Sequence, residues 1–107
     1  MPTLFLSHGS PLLAIEDSGA RRYLRALGSR LPRPKAIVVL SAHHDADRVE
    51  VTSSSQPATI HDFGGFPREL YELRYRAPGA PELAARARDL LLDADIDAAL
   101  EPRRGLD

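Results

Sequence analysis

The sequence predicts an α/β domain with a mostly parallel sheet, in which β-α-β units are flanked by helices. Residues 3–7 and 36–42 are short apolar segments that alternate little, which is typical of buried parallel strands. Between them, apolar residues recur at helical spacing over residues 18–31. Because the crossover of a β-α-β unit returns the chain in the same direction, both strands are expected to end at one edge of the sheet.

The first helix has clear boundaries in the sequence. Asp17 or Ser18 is a suitable cap at its start, and Pro32 and Pro34 stop it. The residues expected on its buried face are Ala20, Tyr23, Leu24, Leu27 and Leu31.

Further elements are predicted after the second apolar segment. Polar and apolar residues alternate over residues 48–52, which favours a strand with one wet face. A short helix is expected at residues 68–73, and a longer one at residues 82–93 with Pro81 at its first position. A fourth strand is expected at residues 98–100.

The loop at residues 58–67 has an unusual composition. It combines many turn-forming residues with two phenylalanines. A loop in solvent has little use for two exposed rings, so we expect this segment to fold back over another part of the molecule.

The bulk properties narrow the classes of function. The 107 residues allow one domain, and 43% hydrophobic residues are too many for a disordered chain. Lys and Arg number 14 against 15 Asp and Glu, so no basic field favours nucleic acid. The absence of cysteine excludes disulfides and thiolate metal ligands. No membrane span or signal peptide is recognisable, and we therefore expect a cytoplasmic protein.

The predicted elements are few for a parallel sheet. Such sheets are normally covered on both faces, and four strands with two or three helices supply little cover. Residues 101–107 follow directly on the fourth predicted strand. We therefore expect the sequence to be the first part of a larger domain, whose sheet is incomplete here.

The strongest functional signal is the pair His8 and His43, each placed where an apolar segment ends in a loop. Ligands of open α/β sheets bind beside the carboxyl ends of strands, so two imidazoles at that edge suggest a metal or catalytic site. Gly9 after the first histidine, and Ser41 and Ala42 before the second, leave room for a ligand. The alternative for either histidine is a core position in which backbone groups satisfy the ring.

The other titratable residues are weaker candidates. His44 is expected on the opposite side of the strand from His43, and His61 either contacts substrate or supports its loop. Three loop carboxylates are conceivable metal ligands, although such groups are usually just solvated: Glu16, Asp45 and Asp62. A catalytic metal needs at least three protein ligands, and the sequence offers no convincing third one.

Five segments carry a resemblance to a known family: residues 8–11, 32–43, 59–67, 70–71 and 75–79. The first is HGSP, the second ends in SAH, and the third is TIHDFGGFP. With these motifs in this order, the sequence resembles the class III extradiol ring-cleavage dioxygenases of the LigB superfamily. It is most similar to the branch that cleaves 4,5-dihydroxyphenylalanine (DOPA). The resemblance extends over nearly the whole chain.

The resemblance implies a site and a chemistry. His8 and His43 would bind one catalytic metal, Fe(II) in typical extradiol enzymes and Zn(II) in some relatives. O2, as co-substrate, would be inserted beside the diol of a small catechol-type ring, which opens it. His61 and Asp62 would lie in a substrate-binding loop at the mouth of the site.

The resemblance also implies what lies outside these residues. In the family, the acid/base histidine and the remaining metal ligands follow the motif that begins at residues 105–107. The catalytic residue is therefore unknown from this sequence. Residues 1–107 would be the N-terminal portion of a single extradiol dioxygenase catalytic domain, inactive by itself.

Two other interpretations stay open. The protein could be a non-enzymatic metal-binding or scaffold relative, since a shared fold does not guarantee a shared chemistry. It could instead be a subunit that completes its site with a partner chain in an oligomer, with the sheet edge after Leu100 as the interface.

Overall fold

The computed structural model describes residues 3–7 and 9–107 of the chain. Over these residues the elements are a 3-10 helix at Pro11–Ala14, α1 at Gly19–Arg30, β1 at Val49–Thr52, α2 at Arg68–Glu72, α3 at Pro81–Asp93 and β2 at Ala98–Glu101.

The described residues form two compact units. The helical unit consists of the described residues of Met1–Lys35 together with Phe63–Leu73. The sheet unit consists of Ala36–Asp62 and Arg74–Asp107.

In the helical unit, α1 begins and ends where the sequence predicts. Its N-cap is Ser18, whose hydroxyl accepts a hydrogen bond from the backbone N–H of Arg21 at 3.1 Å. The helix ends at Arg30. Leu31 has an extended backbone, because the ring of Pro32 disfavours the helical conformation of the residue before it.

Leu70 lies at the centre of the helical unit. Only 2% of its surface is exposed, and its helix, α2, packs against the 3-10 helix, as does α1. The short helix predicted at residues 68–73 is thus confirmed, and burial of this one leucine explains why so short a helix is stable.

The two phenylalanines of the loop at residues 58–67 also lie in the helical unit. The rings of Phe63 and Phe66 meet edge to face with their centroids 5.4 Å apart. The ring of Tyr71 lies 5.2 Å from that of Phe63, and its hydroxyl donates to the Phe63 carbonyl oxygen at 3.4 Å. The expectation that this loop folds back over protein is confirmed, and the protein it meets is α2.

In the sheet unit, β1 and β2 pair in parallel, with Val49 opposite Ala98 and Thr52 opposite Glu101. α3 lies between them in the sequence and packs on both strands, so that the unit is a β-α-β arrangement. The α/β class with a parallel sheet is confirmed. So are the strands predicted at residues 48–52 and 98–100 and the helix at 82–93, with Pro81 at its first position.

A second parallel contact within the sheet unit joins Thr59 to Leu106. The backbone N–H of Ile60 donates to the Leu106 carbonyl oxygen, and that of Leu106 donates to the Ala58 carbonyl oxygen, each at 2.7 Å. Gly105 permits this approach, because a Cβ at that position would overlap the Ala58 carbonyl group. The contact fixes the backbone just before Asp62.

Two of the predicted strands are wrong. Residues 3–7 and 36–42 form no strand, and Phe5 and Leu40 are each 98% exposed. A strand exists only where a neighbouring backbone exchanges hydrogen bonds with it, and apolar composition supplies no such partner. These segments therefore do not build the sheet edge on which the pairing of the two histidines was predicted. None of the helices in the described part of the chain is long and apolar enough to cross a membrane.

Candidate functional site

His43 forms a close hydrogen bond with Asp62 in the sheet unit. The imidazole Nδ1 lies 2.6 Å from the Asp62 Oδ2, with 46% and 31% of the two side chains exposed. Because a carboxylate only accepts hydrogen bonds, the contact places the proton on Nδ1. The aspartate therefore fixes both the orientation and the tautomer of this ring.

The loop that carries His43 is held by a second set of polar groups. The backbone N–H of His43 donates to the Ser41 hydroxyl at 3.1 Å, and that hydroxyl donates to Asp107 Oδ1 at 2.9 Å. The Arg104 guanidinium donates to the His43 carbonyl oxygen at 3.2 Å and to Asp107 Oδ2 at 2.7 Å. Both peptide groups of this histidine are thus anchored to residues near the end of the sheet unit.

The electrostatics of the pair favour an ionised aspartate. The hydrogen bond from His43 lowers the pKa of the Asp62 carboxyl below its ordinary value, against a smaller opposing effect of desolvation. The charges of His43 and Arg104 act in the same direction as the hydrogen bond. At neutral pH, Asp62 is therefore an anion beside the imidazole.

The structure does not test the pairing of the two predicted metal ligands. His8 lies outside the described residues, so its juxtaposition with His43 stays a prediction. His43 itself lies in the sheet unit, held as described above.

The predicted substrate-binding residues have different partners. His61 Nε2 lies 3.4 Å from the Arg74 guanidinium, which can only donate, so this nitrogen accepts. Asp62, its neighbour in sequence, contacts His43 instead. The structure therefore gives these two adjacent residues separate surroundings.

The remaining candidates from the sequence are His44, Asp45 and Glu16. His44 Nε2 is 3.2 Å from Glu50 Oε2 on β1, so the second histidine of the loop has a carboxylate of its own. Asp45 lines an open cleft of the sheet unit together with other acidic groups, Asp47, Glu50 and Asp97. Glu16 belongs to the helical unit.

His43 and Asp62 fit one part of a metal site. A metal-binding histidine commonly donates its other ring N–H to a carboxylate, which is the arrangement found here. Within residues 3–7 and 9–107, however, no group of three or more potential ligands is placed to hold a metal ion. What the described part of the chain shows is an imidazole oriented by a carboxylate, and the metal-ligand role of His43 stays a prediction.

Sequence analysis missed the residues that anchor the His43 loop. From sequence, Ser41 shows only a small side chain beside His43, and no motif points to Arg104. The Ser41–Asp107 hydrogen bond joins residues 66 positions apart, a distance over which no local pattern signals contact. The spacing of Arg104 and Asp107 is the only available hint, since charges three residues apart often pair.

The fold and this contact define a class of protein: an α/β domain that presents an imidazole oriented by a carboxylate. The sequence identifies the class more narrowly. Residues 2–107 match the family described as the catalytic LigB subunit of aromatic ring-opening dioxygenase. The chain belongs to this family, and the resemblance seen in its motifs is confirmed.

Curated relatives from distant organisms are similar to this chain in sequence. The 4,5-DOPA dioxygenase extradiol of Escherichia coli (strain K12) is 54% identical over 91 residues, covering 85% of this chain and 34% of the relative. The protein of the same name from Beta vulgaris is 42% identical over 109 residues, covering 98% and 41%. The 4,5-DOPA dioxygenase extradiol-like protein of Schizosaccharomyces pombe (strain 972 / ATCC 24843) is 33% identical over 127 residues, covering 100% and 43%. The chain thus spans between a third and a half of the length of these relatives.

Proposed function

We propose that this chain is part of a metal-dependent extradiol dioxygenase, which inserts O2 into a catechol-type, DOPA-like ring and opens it beside the diol. Membership of the LigB family and the names of the relatives support the reaction class. The observation that carries the site is the contact of 2.6 Å between His43 Nδ1 and Asp62. It prepares an imidazole in the way a metal ligand is usually prepared.

In this proposal, His8 and His43 are two of the metal ligands. Imidazole nitrogen suits both Fe(II) and Zn(II), so either ion is compatible with these residues. When bound, the metal supplies a Lewis acid that orients the diol and O2. The chain's own contribution is to hold the His43 ring, through Asp62 at its side and Arg104 at its carbonyl group.

We assign His61 to the substrate side of the site. The Arg74 guanidinium beside its ring supplies a positive charge, which favours an anionic group such as a deprotonated diol or a substrate carboxylate. The assignment of Asp62 to substrate binding stays a prediction from sequence, and its contact with His43 favours a role in orienting that ring. The cytoplasmic location is also carried over from the sequence as a prediction.

The 107-residue chain alone is proposed to bind metal without opening the ring. A catalytic metal centre requires at least three protein ligands, and the two predicted histidines supply two. Metal binding and turnover are therefore tested separately.

The binding test uses the 107-residue chain and Zn(II), a redox-inert probe, in titration calorimetry. We expect uptake that is lost in His8→Ala and in His43→Ala. His44→Ala is the matched control, because this neighbouring histidine pairs with Glu50 and is expected to leave binding unchanged. Zinc uptake that survives in His43→Ala contradicts the proposed site.

The turnover test uses the protein purified from its natural source, in the form in which it occurs there, loaded with Fe(II). We expect O2 consumption and a yellow ring-opened product with a DOPA-like catechol. Metal uptake without O2 consumption across a panel of catechols would contradict the dioxygenase and support a non-enzymatic metal-binding relative.

A further inference from the structure

We propose that Asp62 is a positioning residue for His43: it holds the imidazole by Nδ1, so that a metal ion is bound through Nε2. This inference rests on the proposed function for the metal itself. The orientation of the ring, however, is a property of the metal-free protein and can be measured on it.

The geometry of the contact is that of a strong hydrogen bond. At 2.6 Å, the distance from Nδ1 to Oδ2 is at the short end for a bond between an imidazole and an ionised carboxylate. His43 and Asp62 are 19 positions apart in sequence, so the contact is not imposed by local chain geometry. It forms because two separately anchored segments bring the groups together.

The two segments are anchored to the same short stretch of chain, one by a backbone hydrogen bond and the other by a side-chain guanidinium. Ile60 donates to Leu106 two residues before Asp62, while Arg104 donates to the carbonyl oxygen of His43. The segments that carry His43 and Asp62 are thus both held by contacts with residues 104–107 of the sheet unit. The His43 ring therefore loses little conformational freedom when a metal ion binds, which means that the ring is preorganised.

The chemistry of the pair assigns the nitrogen. With Nδ1 protonated toward the carboxylate, Nε2 is the nitrogen whose lone pair can bind a metal. Loss of such a carboxylate partner typically lowers metal affinity about 10–100-fold. A residue that contacted only substrate would have neither effect.

The chain contains an internal comparison. His44 and Glu50 form a second histidine–carboxylate pair in the same unit, but through Nε2 and at 3.2 Å. In this pair the carboxylate contacts Nε2 of its histidine, whereas Asp62 contacts Nδ1 of His43. Glu50→Gln is therefore a matched control, in which a neighbouring histidine loses its carboxylate without any change at His43.

The experiment combines two measurements on the 107-residue chain. Nitrogen-15 NMR of the imidazole rings, at a pH where they are neutral, reports the tautomer of His43 without metal. We expect the Nδ1–H form in the wild type and in Glu50→Gln, and a shift toward the Nε2–H form in Asp62→Ala. Asp62→Asn keeps an acceptor oxygen and is expected to retain most of the Nδ1–H form.

Zinc titration of the same variants gives the second measurement. Asp62→Ala should weaken zinc binding about 10–100-fold, Asp62→Asn by less, and Glu50→Gln not measurably. If His43→Ala abolishes binding while Asp62→Ala changes neither tautomer nor affinity, the positioning role is overturned and the proposed metal site stands. If His43→Ala leaves binding intact, the metal site fails, and the tautomer measurement still decides whether Asp62 orients the ring.

Discussion

The sequence predicts a strand for two apolar segments, residues 36–42 and residues 98–100, yet only the second segment pairs with another strand. The strand β2 lies beside β1 and under α3, and its first residue, Ala98, is buried. In the other segment, Leu40 is 98% exposed and no backbone hydrogen bond holds residues 36–40 among the contacts of the described chain. The more hydrophobic segment is therefore the less structured one.

The difference shows that a strand is a property of a pair of segments. β2 is followed by polar residues and preceded by a left-handed turn at Asp95, and neither feature would make it a strand without β1. Residues 36–40 have greater β propensity, but propensity mainly measures how well side chains pack on a neighbour. Where the structure offers no neighbour, propensity decides nothing.

Hydrogen exchange should separate the two segments most clearly. Amides that donate across the β1–β2 ladder open only with their unit, so they should exchange on the order of a thousand times more slowly than in an unfolded chain. Amides of residues 37–40 should exchange at nearly the unfolded rate. Comparable protection in both segments, measured by NMR, would show that residues 36–40 are paired in solution.

Substitution of two leucines in opposite environments measures how much burial of a side chain contributes to stability. Leu70→Ala removes a side chain that is 2% exposed, and should lower the free energy of unfolding of the helical unit by about 2–5 kcal/mol. Leu40→Ala removes one that is 98% exposed, and should change stability by less than about 0.5 kcal/mol. Urea unfolding followed by circular dichroism measures both. A large effect of Leu40→Ala would mean that this side chain is packed, against the structure.

The same distinction explains which parts of the fold could be predicted. The boundaries of α1 and α3 follow from residues within one turn of each end, Ser18 at the first and Pro81 at the second. The strands at residues 3–7 and 36–42 were mispredicted because hydrophobic pattern carries no information about partners.

The candidate site divides in the same way. His43 could be selected from sequence, because its position after an apolar segment and its motif are local features. Its contact with Asp62, and the clamp of Ser41, Arg104 and Asp107, depend on chain segments that meet only in the folded protein. The sequence therefore indicated His43 and the loop containing Asp62, but not the contact between them.

The smallest expected effect concerns how the paired strand ends. Glu101, the last residue of β2, accepts a hydrogen bond from the backbone N–H of Arg103 at 2.7 Å. This bond is the largest single cause that holds the pKa of the Glu101 carboxyl below its ordinary value of 4.5, and the charge and hydrogen bond of the Arg103 guanidinium act in the same direction. Since the folded pKa is the lower one, the unfolded chain binds the proton more readily. The stabilisation is therefore complete above pH 4.5 and is lost as the pH falls through the folded pKa.

Glu101→Gln should accordingly destabilise the sheet unit slightly near neutral pH, and the stabilities of wild type and variant should converge in acid. Arg103→Ala is the matched control, because it removes the guanidinium and keeps the backbone N–H that is the larger cause. Urea unfolding at a series of pH values should show that Arg103→Ala keeps most of the wild-type pH dependence. If Arg103→Ala loses as much of the pH dependence as Glu101→Gln does, the charge of the Arg103 side chain, rather than the backbone hydrogen bond, stabilises the end of β2. The paired strand then depends on surface charge more than its hydrogen bonds indicate.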